Sequence, residues 1–500
     1  MSQKFFVTTP IYYSNGVPHI GHAYASIIAD IIAKYHRLLG EDVKFSTWVD
    51  ENSQKVVETA EEAGMSVMQY ADIMASKHQA VWDGLGISYT DFIRTTESRH
   101  KQFVQEVLQK SFDNWDIYEG MYEGKYCVGC EAFKKDSDLT EDGRCNDHPN
   151  KPIQVLKEKN YFFRLSKYEQ QLSDFYTNNP SWIIPENRFR EVIEFVKWGL
   201  EDFSVSRETN RFGIPLPFDS TQVTYVWYDA LFNYLTVCQD GDEDFWPANL
   251  HIVWKDIIRF HGIYWPAMLM SAGYSLPKQL LSTGHFTVDG QKMSKSIWNV
   301  INPVDFCQEY SRDMMVLYLL TAFPVGEDGD FSLEKAILIY NAKLANNLWN
   351  LLNRFLVLSL KIGGQVNGLE DDIVSTERVK SILSVQKLYA QHDIKEVLQQ
   401  VFFFSDVLNR YIDETKPWTL KDMNDETIQK LSNILFTVGR GLETIALLLL
   451  PFFEEKMKEL LGRIGLHISV EDLFNQIIQG SSQYTIAEKW EPLYTRIDKS

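Results

Sequence analysis

Glycine is in short supply in this chain: 27 of 500 residues, where about 7% is usual. Cysteine is scarcer still, at five. There is no basic excess. The formal net charge of −19 argues against a general nucleic-acid binder, which would carry surplus Lys and Arg. The most apolar stretch, Ile445 to Phe453, is too short to cross a bilayer and contains Pro451. The first residues have no charged n-region ahead of an apolar h-region, so no signal peptide is read and a cytoplasmic location is expected. What is present fits an ordinary globular protein, 45% apolar and 23% charged. Five hundred residues exceed a single core and imply two to four domains.

The stretch from Phe5 to Gly40 organises the rest. Phe5, Phe6 and Val7 read as a buried strand, Thr8 to Pro18 as a punctuated loop, and an amphipathic helix begins near His19 and ends at Gly40. Strand, loop and helix N-terminus together present unpaired backbone N–H groups to an anion. Neither G-x-G-x-x-G nor G-K-[ST] occurs there. Instead His19 and His22 flank Gly21 in an H-I-G-H tetrapeptide. Two histidines three apart are more often packed or solvent-facing than catalytic. A second segment changes the odds: Lys292-Met293-Ser294-Lys295-Ser296, after the turn Val288-Asp289-Gly290.

Residues 120–153 hold Cys127-x2-Cys130 and, fourteen residues on, Cys145-x2-His148. Three thiolates and one imidazole make the closed tetrahedral set that structural Zn²⁺ prefers. A disulfide reading fails in a reducing cytosol. Cys238 and Cys307 are left as buried thiols.

The two signatures, in this order and this far apart, resemble those of the class I aminoacyl-tRNA synthetases, and nearly the whole chain resembles the methionyl family within that class. The resemblance implies an α/β fold: a Rossmann-type, doubly wound parallel sheet split by an insertion with a zinc knuckle, followed by a C-terminal α-helical bundle. The expected division is 1–115 for the first Rossmann half, 116–220 for the insertion, 221–330 for the second half with the signature loop, and 331–500 for an anticodon-binding bundle. The strand resuming the second half is expected over Gln222 to Trp227.

The implied reaction is ATP-dependent methionylation of tRNA(Met), initiator tRNA included, through a methionyl-adenylate. His19, His22, Lys292 and Lys295 are the catalytic set that the resemblance implies. Asn15, Gly21, Asp256, Ser294 and Ser296 would line ATP, with Mg²⁺ on its phosphates. Ile11, Tyr13, Asp50, Trp227, Leu231, Tyr234, Ile257 and His261 would hold L-methionine, Asp50 meeting the ammonium group. Asn346, Asn350 and Arg354, four apart on one helix face, together with Pro417 and Trp418, would read the anticodon. The acidic total then predicts a divided surface with locally clustered Lys and Arg and a salt-dependent tRNA affinity. No further C-terminal module follows, so a monomer is expected. The absence of a large editing insertion counts against the isoleucine, valine and leucine enzymes.

Some positions depart from the family. Trp48, Trp115, Trp254, Trp298 and Trp349 stand where it usually has glycine, with Trp198 a sixth case, and Asn52-Ser53 replace His-Gly. The largest side chain at sites of close backbone approach would overpack them. The pattern is that of a gene whose UGA codons are read as glycine in the source and are written here as tryptophan.

Overall fold

The computed structural model describes residues 3–128, 132–134, 139–146, 149–208, 212–239, 241–288, 290–293, 299–420, 424–467, 477–486 and 490–498. For residues 122, 123, 132, 133, 156, 158 and 292 it describes the backbone alone. The chain divides into a sheet unit, Lys4–Ala29 with Lys44–Gly284, and a helical unit, Met1–Gln3 with Asp30–Val43 and His285–Ser500.

The sheet unit is built on seven strands. Their order is Tyr12–Tyr13, Asp42–Asp50, Lys4–Thr8, Leu250–Trp254, Leu280–Thr283 and Ile183–Ile184, with Asp91–Arg94 also paired to Asp42–Asp50. Lys4–Thr8 and Leu250–Trp254 run parallel, Val7 opposite Leu250 and Thr8 opposite His251. Leu250–Trp254 is likewise parallel to Leu280–Thr283. Strands such as FFVT and HIV are buried throughout, as expected of a parallel sheet covered on both faces. Strands from both ends of the unit therefore complete one sheet, and the segment between them is the insertion. That insertion contains a long antiparallel ribbon, Ile117–Cys127 against Ile153–Phe163, flanked by Ala132–Lys134 and Phe203–Ser204.

The first helix runs Ile20–Leu38. Gly40, at φ 75°, ends it, with the Glu41 N–H donating back to the His36 carbonyl, a glycine-capped terminus. The expected strand over Gln222 to Trp227 is corrected. The strand is only Val223–Thr224, and Val226–Leu231 is a helix whose six residues are all buried. A short apolar run of this kind carries no period that separates a buried strand from a buried helix.

The helical unit packs Trp349–Leu360, Asp372–Ala390, Ile394–Thr415, Asp425–Leu449 and Glu454–Arg463. Asp371, Asp393 and Asn424 cap three of these helices through their side-chain oxygens. Asp425–Leu449 is long and apolar enough to cross a membrane, but 94% of its most apolar window is buried inside the unit. It is a core helix. Two short pairings interrupt the helical pattern. Phe286–Val288 pairs with Gln291–Lys292 and Gly329–Phe331, and Gln365–Val366 pairs with Tyr484–Thr485. Gly363 and Gly364, both at positive φ, end the helix before the second of these.

Candidate active site

The H-I-G-H turn is closed by its own side chains. His19 N–H donates to His22 Nδ1 at 3.2 Å and Gly21 N–H to His19 Nδ1 at 3.1 Å. The two rings stand 3.9 Å apart at 63°. Because each Nδ1 accepts a backbone hydrogen, the proton of each neutral imidazole lies on Nε2, which becomes a donor. Two such donors at the start of a 19-residue helix suit an anion. Tyr12 fixes the turn from below, its hydroxyl 2.7 Å from Ser26 Oγ and its ring 5.6 Å from that of His22. His78, whose imidazole burial pushes down to about 4, lies 2.9 Å from the Gly16 carbonyl and ties the preceding loop to a neighbouring helix. Asn15 is exposed on that loop.

Asp50 ends its strand fully enclosed. Its backbone carbonyl accepts from Ser14 N–H and Oγ, and its Oδ1 accepts from Asn52 N–H at 3.1 Å. The unexplained pair Asn52-Ser53 acquires a structural account here. Asn52 Nδ2 donates to the Thr95 carbonyl and to Asp229 Oδ2, each at 3.3 Å. Ser53 caps the helix Gln54–Glu62. Next to it Glu51 accepts from Arg94 Nε at 2.9 Å and from Thr96; burial raises its carboxyl above the usual range, opposed by those two partners. Asp229 also accepts from Thr224 Oγ1 at 2.7 Å. This enclosed Asn–Asp–Thr link was not legible in the sequence. The acid in Trp227-Tyr228-Asp229 was its one signal.

The residues expected around methionine fall into two groups. Tyr13 meets Trp227 edge-on at 6.5 Å, and Trp227 stacks on Phe260 at 3.8 Å. Tyr234 Oη lies 2.9 Å from His261 Nε2, and His261 Nδ1 lies 3.1 Å from the Ile257 carbonyl. Ile11, Leu231 and Ile257 are buried. Burial lowers His261 to about 4, so it is neutral. Asp256 is exposed, at the start of the turn after Leu250–Trp254. Two of the anomalous tryptophans stand against these groups. Trp254 lies 5.3 Å from the His22 ring and 5.5 Å from that of Tyr12, and Trp48 meets Tyr234 edge-on at 5.8 Å.

Of the second signature, Lys292 lies in a short strand, its backbone opposite Thr287. Ser294, Lys295 and Ser296 lie outside the described residues, as does Trp298. In the bundle, Asn346 and Asn350 are exposed. Asn346 belongs to a π-helical stretch, Asn341–Leu348, and Asn350 to the α-helix that follows. Arg354 Nη1 donates to Asp413 Oδ1 at 2.7 Å and Nη2 to Asn409. That pairing holds Arg354 beside the end of Ile394–Thr415, from which Lys416 turns into Pro417 and the exposed Trp418.

In the insertion, Cys127 and Cys145 are buried, Cys127 at the end of the long ribbon and Cys145 paired through its backbone with Leu139. Cys130 and His148 lie outside the described residues. Among the described residues no group of three or more ligands gathers. Cys238 is buried, its thiol pushed up to about 12, whereas Cys307 is only partly so.

A parallel sheet divided by an insertion, imidazoles at the N-terminus of its first helix and a following helical unit are what the resemblance to the class I aminoacyl-tRNA synthetases implied, and the comparisons with known proteins show that class. The family model described as tRNA synthetases class I (M) matches residues 5–356. The chain is 40% identical to a methionine–tRNA ligase of Thermosynechococcus vestitus over 484 residues, 94% of this chain and 91% of that one. It is 39% identical to that of Fusobacterium nucleatum over 515 residues, 100% of this chain and 80% of that one. Among solved structures, Mycobacterium tuberculosis methionyl-tRNA synthetase in complex with methionyl-adenylate matches with a TM-score of 0.93 at 33% identity, covering 99% of this chain and 100% of that one. The chain belongs to the methionine–tRNA ligase family.

Proposed function

We propose that this chain attaches L-methionine to tRNA(Met), initiator tRNA included, at the cost of one ATP, through methionyl-adenylate. The observation that carries the reading is likeness over the whole chain to a structure bound to that adenylate. In the first step a methionine carboxylate oxygen attacks the α-phosphorus of ATP and the bond to pyrophosphate breaks. In the second a ribose hydroxyl at the tRNA terminus attacks the methionyl carbonyl and AMP leaves. Neither step calls for a protein nucleophile. The protein's contribution is positioning and donors aimed at oxygens that gain charge.

His19 and His22, with Nε2 as donor and Gly21 between them, suit phosphate oxygens at a helix N-terminus. By resemblance Lys292 and Lys295 supply compact positive charge, and Asn15, Asp256, Ser294 and Ser296 contact the nucleotide. Mg²⁺ would neutralise phosphate charge when bound. Asp50 would meet the ammonium group. Ile11, Tyr13, Trp227, Leu231, Tyr234, Ile257 and His261 would enclose a thioether, which favours aromatic neighbours.

The finer assignments belong to the same proposal. Cys127, Cys130, Cys145 and His148 would hold one structural Zn²⁺. Burial of the two described thiols suits that role, as does the tight turn at Cys145. Asn346, Asn350, Arg354, Pro417 and Trp418 would contact the anticodon, with Trp418 exposed as a stacking surface. The division at 115, 220 and 330, a monomeric state and a cytoplasmic location complete the reading.

ATP–pyrophosphate exchange tests it. Exchange should depend on methionine and be far weaker with isoleucine, leucine or valine. Equal exchange with another amino acid, or tRNA binding without any exchange, would overturn the assignment.

A further inference from the structure

Asn52 stands where the family usually has histidine, and Asp229 lies between Trp227 and Leu231 on the helix Val226–Leu231. Neither has a role in the reading above, on which this inference rests. Both are enclosed, as are Asp50, Thr95 and Thr224. The peptide N–H of Asn52 donates to Asp50 Oδ1 at 3.1 Å. Its side-chain Nδ2 donates to the Thr95 carbonyl and to Asp229 Oδ2, each at 3.3 Å. The same Oδ2 accepts from Thr224 Oγ1 at 2.7 Å.

These bonds differ in what they ask of residue 52. The one to Asp50 closes a local turn, and any residue other than proline could supply its N–H. The other two require the amide. The Thr95 carbonyl can only accept, so the nitrogen of the amide faces it and the oxygen does not. Thr95 also holds the residue before, since Glu51 N–H donates to its Oγ1 at 3.0 Å. Asp229 is 177 residues farther along the chain. Its helix carries Trp227 and Leu231, two of the residues assigned above to the thioether. The Asn52 amide therefore ties the turn that presents Asp50 to that helix.

We propose that Asn52 and Asp229 are positioning residues for methionine, holding the Asp50 carboxyl where it meets the ammonium group. The direction of the Asn52 N–H is set by where its backbone lies, and the amide fixes that backbone at two enclosed acceptors. Truncating the side chain leaves both acceptors short of a donor, which is costly, and lets the turn carrying Asp50 shift against the helix Val226–Leu231. A packing role alone would weaken the whole pocket without singling out the ammonium group.

ATP–pyrophosphate exchange on the full chain tests the proposal. Asn52→Ala keeps the N–H that Asp50 accepts and loses only the amide. It is expected to raise KM for methionine about tenfold, the worth of roughly one buried hydrogen bond, with KM for ATP within about twofold. Asp229→Ala is expected to match it, and Asp229→Asn, which keeps an oxygen in place of Oδ2, to recover most of the loss. Desamino-methionine, which has no ammonium group, should inhibit the native chain and Asn52→Ala equally. An unchanged methionine KM in Asn52→Ala, equal rises in both KM values, or weakened inhibition by desamino-methionine would overturn the inference. Any of these in a native chain that activates methionine leaves the functional reading standing. A native chain with no methionine-dependent exchange refutes that reading, and this inference with it.

Discussion

Trp115 adopts φ 59° and is 81% exposed. It follows the cap of the helix Ser98–Asp113, at the point where the next N–H, that of Asp116, donates back to the Ser111 carbonyl. This is the left-handed position that glycine takes after a helix, and a bulky side chain there is strained. Replacing Trp115 by Gly is expected to stabilise the fold by about 1 kcal/mol, read as a higher urea midpoint at unchanged slope. The backbone thus favours glycine at one of the suspect positions on grounds independent of any relative. Restoring glycine at 48, 115, 254, 298 and 349 together is expected to raise methionine-dependent exchange, because Trp254 and Trp48 stand edge-on to His22 and Tyr234 and fill space beside them. Peptide mass spectrometry of the native protein that found tryptophan at 254 and 298 would end the recoding idea.

At the scale of elements, the insertion and the bundle make separate predictions. Cys127→Ser is expected to take zinc content from one per chain to near zero and to loosen the ribbon Ile117–Cys127 and Ile153–Phe163 in hydrogen exchange. Full activity in a chain that holds no zinc would dispose of the knuckle. Trp418 is exposed, so Trp418→Ala should leave stability within about 0.5 kcal/mol. The same variant is expected to raise the KM for tRNA about tenfold or more, since base stacking on an aromatic ring is worth ~1–3 kcal/mol. Aminoacylation reads that change, and ATP–pyrophosphate exchange, which involves no tRNA, should not follow it.

For the whole molecule, buried neutral histidines set the acid response. Burial lowers His78, His261 and His392 to about 4, and His100 to about 3, from the ordinary 6.5. Each gains a proton on unfolding once the pH is below 6.5, so the stabilisation is full above that value and declines as pH falls towards 4. The slope is roughly 1.4 kcal/mol per pH unit for each histidine. Glu51 and Asp313, both raised by burial, oppose this at the acid end. Urea midpoints at pH 7, 6 and 5 should therefore fall steadily. A flat profile down to pH 5 would mean that these imidazoles are accessible to protons in the folded state.

The first strand, the helix after it with its Gly40 terminus, the helical character of the second half and the position of both signatures all follow from local pattern, because period, capping residues and chemistry-bearing side chains are written in consecutive residues. The strand expected at Gln222 to Trp227 failed for the matching reason: a run buried on every side has no period to read. Tertiary structure alone decided which nitrogen of His19 and of His22 carries the proton and what Asn52 holds. Those outcomes depend on which donor faces which acceptor in space, and residues 52 and 229 become neighbours only when the chain folds.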